Sequence, residues 1–222
     1  MVKGPWVDAT EVVRRALAGT GVDVVGSSGV DTYDARAPEG LRSTALFPRA
    51  RGVVVAASAG PALWRRFRQA AAERPDRWRR PHPYDDFVAE ILGEADNALG
   101  AAGVAFRRFD AAFAAPVRLS FAALGELAGL GSPGPFGLLI HAQHGPWWAL
   151  RGAWLVDADV DASPAAPTPC AGCAAPCVGG SGGPGGLALA TPEVRGRCVV
   201  GQESRYDDDQ IAYHYAGTRP RW

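Results

Sequence analysis

"PFGLLIHAQHGPWWALRGAWLVD", residues 135–157, decides how the chain is read. Two apolar runs flank "AQHGP" (142–146), a turn-forming stretch of Gly, Pro and polar residues, so the segment predicts a β-hairpin. Arg151 stands in the middle of the second run. On a strand, side chains alternate between faces, which groups Arg151 with Ala149 and Ala153 and leaves space around the guanidinium. A charge in a buried strand needs a partner. Two partners fit: a carboxylate or phosphate ligand held by paired hydrogen bonds, or an internal acid in a salt bridge.

Working outward, "RGVVVAASAG" (51–60) is a short β-branched run that predicts a central strand, and "VAFRRFD" (104–110) predicts another. "ATEVVRRALA" (9–18) has apolar residues at helical spacing and is ended by Gly19 and Gly21. "PALWRRFRQAAAER" (61–74) predicts an amphipathic helix with Pro61 in its first turn and Leu63, Phe67 and Ala70 on one face. "PYDDFVAEILGEADNALGAAG" (83–103) repeats the pattern through Phe87, Ile91 and Ala95, and Gly100 and Gly103 close it. "SFAALGELAGLG" (120–131) predicts a helix capped by Ser120.

Helices and strands alternate early and a hairpin follows, so the expected fold class is α+β, a mixed sheet flanked by helices. Residues 161–188 are rich in Pro, Gly, Ala and Ser and hold three of the four cysteines. The expected organisation is a core over residues 1–160 and an irregular Gly/Pro/Cys-rich tail over 161–222. That tail ends in a short helix with acids at its start, packed on the core.

The 222 residues are 47% hydrophobic and 21% charged, which suits one globular domain with a tail. Formal net charge is zero, so no electrostatic footprint points to nucleic acid. One lysine against twenty-two arginines reads as the mark of a GC-rich genome. No apolar run reaches signal-peptide or membrane-span length, so the expected setting is cytoplasmic, with no membrane contact.

In that compartment structural disulfides are not expected. Cys170, Cys173, Cys177 and Cys198 form C-x2-C-x3-C-x20-C, four potential thiolates for zinc or an iron–sulfur cluster. They also read as small apolar fillers or the relic of a lost site. His141 and His144 flank the turn at i, i+3; with no third ligand nearby in sequence they read as structural or ligand-proximal. "YDDD" (206–209) reads as a solvated helix start. The chain has no G-x-G-x-x-G between a strand and a helix and no nucleophile elbow, since its one G-x-S-x-G, "GGSGG" (179–183), lies in the glycine-rich stretch and not between a strand and a helix.

Residues 135–160 and "RYDDDQIAYH" (205–214) resemble two motifs of the cytosolic cobalamin-processing proteins of the CblC type. "VVVAASAGPALWRRF" (53–67) and "PYDDFVAEIL" (83–92) resemble an earlier strand–helix and the next helix of that family. The resemblance implies a flavin-reductase-like (nitroreductase-type) α+β fold. It also implies base-off cobalamin binding and removal of the upper axial ligand. Cyanide would leave by reduction with FMN, FAD or NADPH as the source of electrons, and alkyl groups by transfer to a thiol such as glutathione.

By motif, the family's thiol-binding arginines fall on Arg151, on Arg197 in "RGRC", and on Arg221, or Arg219 if the register slips; the first two are the implied catalytic pair. Corrin contacts are implied at Gly131, Ser132, Phe136, Gly137, Ile140, His141, His144, Gly145, Trp147 and Trp148. The implied partners are cobalamin, a thiol or reduced flavin, and a second copy in a homodimer. Two features depart from the family: the corrin-covering segment shrinks to "GLGSPGP" (129–135), and Glu126 stands where the family has a histidine.

"AGLGSPGPFGLLIH" (128–141) also resembles the cobalamin-dependent epoxyqueuosine reductases. Where that family carries an acid, "FAAPVRL" (113–119) offers Phe113 and alanines, and four cysteines stand against its eight cluster ligands. The alternative implied is a zinc- or iron–sulfur-containing cobalamin carrier, or a relative of that reductase without its catalytic acid.

Overall fold

The computed structural model describes residues 7–76, 79–111, 119–135, 137–174, 177 and 190–218. In chain order the elements are α1 (Ala9–Leu17), β1 (Val24–Gly29), α2 (Val30–Asp34), α3 (Ser43–Leu46), β2 (Gly52–Ala59), α4 (Ala62–Glu73), α5 (Pro83–Ala101) and β3 (Phe106–Asp110). They are followed by α6 (Phe121–Leu127), β4 (Ser132–Pro133), β5 (Leu139–Ile140), β6 (Trp148–Val156), α7 (Pro192–Gly196) and α8 (Asp208–Ala216).

The main sheet has the order β1-β2-β6-β3. The "VVVAAS" run of β2 is β-branched and small, and it lies buried between two neighbours, as a central strand requires. Val54, Ala56, Trp154 and Val156 pack on one face against α1, α4 and α5. Val53, Val55, Ala57, Ala153 and Leu155 pack on the other, against residues of α2, α3 and α6. The result is three layers, helices on both faces of a sheet. Every described pair in that sheet is antiparallel, which corrects the expectation of a mixed one.

The helices begin and end where local chemistry directs. Asp8 caps α1 by accepting from the backbone N–H of Thr10 and Glu11 at 3.0 and 3.2 Å, and Ser120 caps α6 by accepting from Ala123 N–H at 3.3 Å. Helix α5 buries Tyr84, Phe87, Val88, Ile91, Leu92, Ala95 and Leu99, and so lies deep against the sheet.

Asp96 of α5 ties three elements together. It accepts from Trp154 Nε1 at 2.7 Å and from Arg108 of β3 at 2.6 Å, and Arg108 also pairs with Asp110 at 2.7 Å. Asp96→Ala should therefore destabilise the fold by about 1.5–3 kcal/mol, the loss of charge-assisted bonds in a half-buried site. Urea unfolding measures it, and a loss below about 0.5 kcal/mol would show the network to be ornamental.

The hairpin is corrected more sharply. Both edges of β6 are taken, by β2 and β3, so Leu139–Ile140 has no edge there to pair with. It pairs instead with Ser132–Pro133 in a small separate ribbon. The turn closes on itself through two His141–Gly145 backbone bonds of 2.9 Å each. Trp148 Nε1 then anchors the ribbon to the sheet by donating to Leu139 O at 2.9 Å.

The start of the tail covers a sheet edge. Ser163 N–H donates to Ser27 O at 2.9 Å and Ser27 N–H to Ser163 Oγ at 3.0 Å, so residues 161–163 run beside β1. Residues 190–218 return across the α4/α5 layer. Arg65 of α4 makes two 2.9 Å bonds to Asp207, Arg68 pairs with Asp209, and the Tyr213 ring sits 5.0 Å from that of Trp64. Among the described residues, no helix is long and apolar enough to cross a membrane.

Candidate functional site: an arginine held by neutral groups

Strand β6 carries a β-bulge at Arg151. Opposite β2, Gly152 pairs with Ala56 and Leu150 with Ala57, so Arg151 is the extra residue. The bulge turns Arg151 toward α5, while Ala153 packs in the core on the opposite face. The expected grouping of Arg151 with Ala153 is thereby overturned. Gly152 completes the arrangement, because a Cβ there would meet Leu92 of α5 at 2.9 Å.

Arg151 is half-buried. Its Nε–H donates to Ser58 Oγ at 2.8 Å, one Nη2–H donates to Tyr84 Oη at 3.1 Å, and the guanidinium lies 5.2 Å from the Tyr84 ring centre. Among the described residues no carboxylate forms an ion pair with it. Asp85 feels its field, but burial holds the Asp85 carboxyl above the usual range against that pull. Burial also pushes the Tyr84 phenol up to about 12.

The returning C-terminal segment brings more groups to this place. His214 of α8 lies 5.0 Å from the Tyr84 ring. Desolvation, then the charges of Arg151 and Arg195, push its pKa down to about 4. Arg195 of α7 donates to Pro146 O at 3.2 Å and lies 5.5 Å over the Tyr215 ring, and its Nε is buried without a hydrogen-bond partner among the described residues. The cluster thus holds two cations, phenols and a neutral imidazole, a setting that attracts anionic groups.

Sequence reasoning named Arg197, which the structure places exposed at the C-cap of α7. Arg195, two residues earlier in the same "RGRC", reaches the site instead; only the register of α7 distinguishes them. Ser58 and Tyr84 were missed as site residues, because their contacts with Arg151 span 93 and 67 positions. Arg221, Arg219 and Phe136 lie outside the described residues.

The implied corrin contacts gather around the turn before β6. The rings of His141 and His144 stack at 4.6 Å. His141 Nδ1 accepts from the backbone N–H of Gln143 and His144 at 3.1 and 3.2 Å, and His144 Nδ1 shares a 2.8 Å hydrogen bond with Ser204 Oγ. Ile140 and Trp147 are fully buried, and Gly131 packs under the Trp148 indole. Gly137 turns the chain at φ 78°, and Gly145 lies against the backbone at Val200. Ser132 Oγ and Trp147 Nε1 are buried with no hydrogen-bond partner among the described residues.

Burial, then the neighbouring His144, push His141 down to about 4, and burial lowers His144 as well. These values lie below the unfolded histidine value of about 6.5. Between the two, the unfolded chain binds more protons, so stability present above pH 6.5 is lost as pH falls toward 4. Melting temperature should be level above neutrality and fall steadily from pH 6.5 to 4. His141→Gln should flatten that slope, and an unchanged slope would remove His141 from the account.

Cys170 and Cys177 are half-buried, Cys173 is exposed and Cys198 is buried. Burial raises the Cys170 thiol, and Cys198, Cys177 and Cys173 add to it, so the four lie within one another's field. Among the described residues, no group of three or more His, Cys, Asp or Glu side chains is arranged to hold a metal ion.

No protein-family model matches the sequence, and no curated protein matches it. Comparison of structures defines the class of fold, an antiparallel α+β layering also found in solved proteins linked to vitamin B12 or to epoxyqueuosine. The B12-trafficking protein CblC of C. elegans, a homologue of human MMACHC, superposes with a TM-score of 0.61 at 15% identity, covering 96% of this chain and 91% of that one. Epoxyqueuosine reductase from Streptococcus thermophilus gives a TM-score of 0.55 at 14% identity, covering 85% of this chain and 53% of that one. The enzyme from Bacillus subtilis gives 0.52 at 19% identity, with 76% and 50% covered. The chain spans about half the length of these reductases. At such identities the likeness is one of fold.

Proposed function

We propose that this protein binds base-off cobalamin and removes its upper axial ligand, by thiol-dependent dealkylation or by reductive decyanation. The observation that carries the reading is Arg151, a half-buried cation held, among the described residues, by neutral groups alone. Its position on a fold that matches the B12-trafficking protein across nearly both chains supports it. The donor set fits cobalamin's amide-rich rim: among the described residues, buried Ser132 Oγ and Trp147 Nε1 have no hydrogen-bond partner, and the stacked histidines bond through their Nδ1 atoms.

When bound, cobalamin supplies the cobalt and the upper ligand to be removed. The chain's own residues do the binding and orienting. His141, His144 and the 131–148 segment would hold the corrin. Arg151 would hold a carboxylate of a thiol such as glutathione, with Arg195 at a second anionic group; Arg197 and Arg221 are thiol contacts by the resemblance alone. Neutral His214 adds no third positive charge there. Reduced FMN or FAD is the partner for decyanation, in keeping with a nitroreductase-type fold. A cytoplasmic setting and a homodimer belong to the same reading.

Titration with hydroxocobalamin tests it. The base-off absorption shift is expected, followed by glutathione-dependent loss of methyl from methylcobalamin. No spectral change at tens of micromolar protein would overturn the proposal.

The C-x2-C-x3-C-x20-C spacing of the four cysteines is the ground for a second reading, a metal-bearing cobalamin carrier. Metal analysis of untagged protein would then give about one zinc, or several irons with matching sulfide, because a closed thiolate site needs all its ligands. Folded, active, metal-free protein would dismiss it.

A further inference from the structure

The guanidinium of Arg151 is gripped along one edge. Its Nε–H and an Nη2–H meet Ser58 Oγ and Tyr84 Oη at 2.8 and 3.1 Å. A carboxylate bound side-on to an arginine places its two oxygens in these same positions, through two parallel N–H···O bonds. Here two hydroxyl oxygens stand there, on side chains that are only 2% exposed. Neither is charged, since serine does not ionise and the Tyr84 phenol holds its proton to about pH 12.

Two consequences follow. A guanidinium has five N–H donors, so three remain, including both on Nη1. Each hydroxyl accepts from Arg151 and therefore keeps its own hydrogen to donate. The locality is rich in donors, and the positive charge is not cancelled. Arg108 shows the contrast: it is also half-buried, and Asp96 and Asp110 neutralise it.

We propose that Ser58 and Tyr84 are positioning residues that act together as an uncharged stand-in for a carboxylate. They fix the Arg151 guanidinium by its side edge and leave its Nη1 end, with full charge, for the anionic group of the ligand. The proposal rests on the reading that Arg151 binds the carboxylate of a thiol. A serine and a tyrosine at these places, rather than an acid, keep the site selective for anions.

The test uses the full chain with glutathione as the probe, measured by calorimetry, beside its diethyl ester. Tyr84→Phe should weaken glutathione binding about tenfold, the loss of one bond to a charged group. Ser58→Asp places a true carboxylate on the edge and should weaken it about a hundredfold or more, with melting temperature unchanged or raised. Selectivity for glutathione over the diester should shrink in the same variant, a change that a packing role would not produce. If Ser58→Asp does not fold, Ser58→Ala replaces it, with about a tenfold loss expected. Unchanged glutathione affinity in Tyr84→Phe and in the folded Ser58 variant would overturn the proposal.

Hydroxocobalamin titration of each protein separates this result from the broader reading. A corrin shift in the parent without glutathione binding would overturn the positioning role alone. Glutathione binding that responds to both substitutions, without a corrin shift, would sustain the role and remove the cobalamin reading.

Discussion

Arg151→Ala should lower glutathione affinity and thiol-dependent dealkylation by about a hundredfold or more, while stability falls by only about 1–3 kcal/mol, the cost of leaving two buried hydroxyls without this partner. The combination follows from the partners of Arg151. Removing one member of a buried ion pair costs about 3–5 kcal/mol, because it strands the other charge. Among the described residues Arg151 has no carboxylate to strand; it contacts two hydroxyls and an aromatic face. Arg151→Lys keeps the charge but loses the planar fork, so about a tenfold to hundredfold loss of thiol affinity is expected. Thermal unfolding and dealkylation kinetics on both variants decide the matter. A loss of several kcal/mol in stability with normal thiol dependence would make Arg151 a structural cation.

The elements near Arg151 were legible for a local reason. A β-branched run marks β2, and apolar residues four apart mark α5; both signals sit within one element. The partner of β6 was not legible in the same way. Strand pairing is a long-range choice, and the two apolar runs of 135–157 look like a hairpin until both edges of β6 are found taken. The bulge had only a faint signal, Gly152 within a strand, which often marks such an irregularity. An alternation rule carried across it put Ala153 on the wrong face.

The site was half legible for a related reason. Arg151 stood out because a charge in an apolar strand is costly, an argument that needs no tertiary information. Its partners come from β2 and α5, and its neighbours from α7 and α8, elements joined to β6 only by folding. Arg195 and Arg197 share one motif and differ in helix register, which the letters do not set. The resemblance implied Arg197, and the structure places Arg195, two residues earlier, within the field of His214.

Gly201→Ala should carry the largest stability cost of any substitution considered, about 3 kcal/mol or more. Gly201 has φ 73° and Gly145 has φ 56°, in the left-handed region that side chains enter at about 1–2 kcal/mol. A Cβ at Gly201 would also fall on the His144 carbonyl, and one at Gly145 on the Val200 carbonyl oxygen. The two backbones therefore meet face to face, where the turn before β6 receives the returning C-terminal segment. Backbone cannot rotate aside as a side chain can, so the alanine must part the two segments. Parting them breaks the 2.8 Å Ser204–His144 bond and shifts α8, which carries His214 to the arginine site. Stability and glutathione affinity should therefore fall together, whereas in Arg151→Ala the loss of affinity dominates. Gly145→Ala should behave alike, and the double variant should be little worse than the more damaging single one, since both break one contact. Urea unfolding of the three variants tests this, and losses that simply add would mean that the two glycines serve separate contacts.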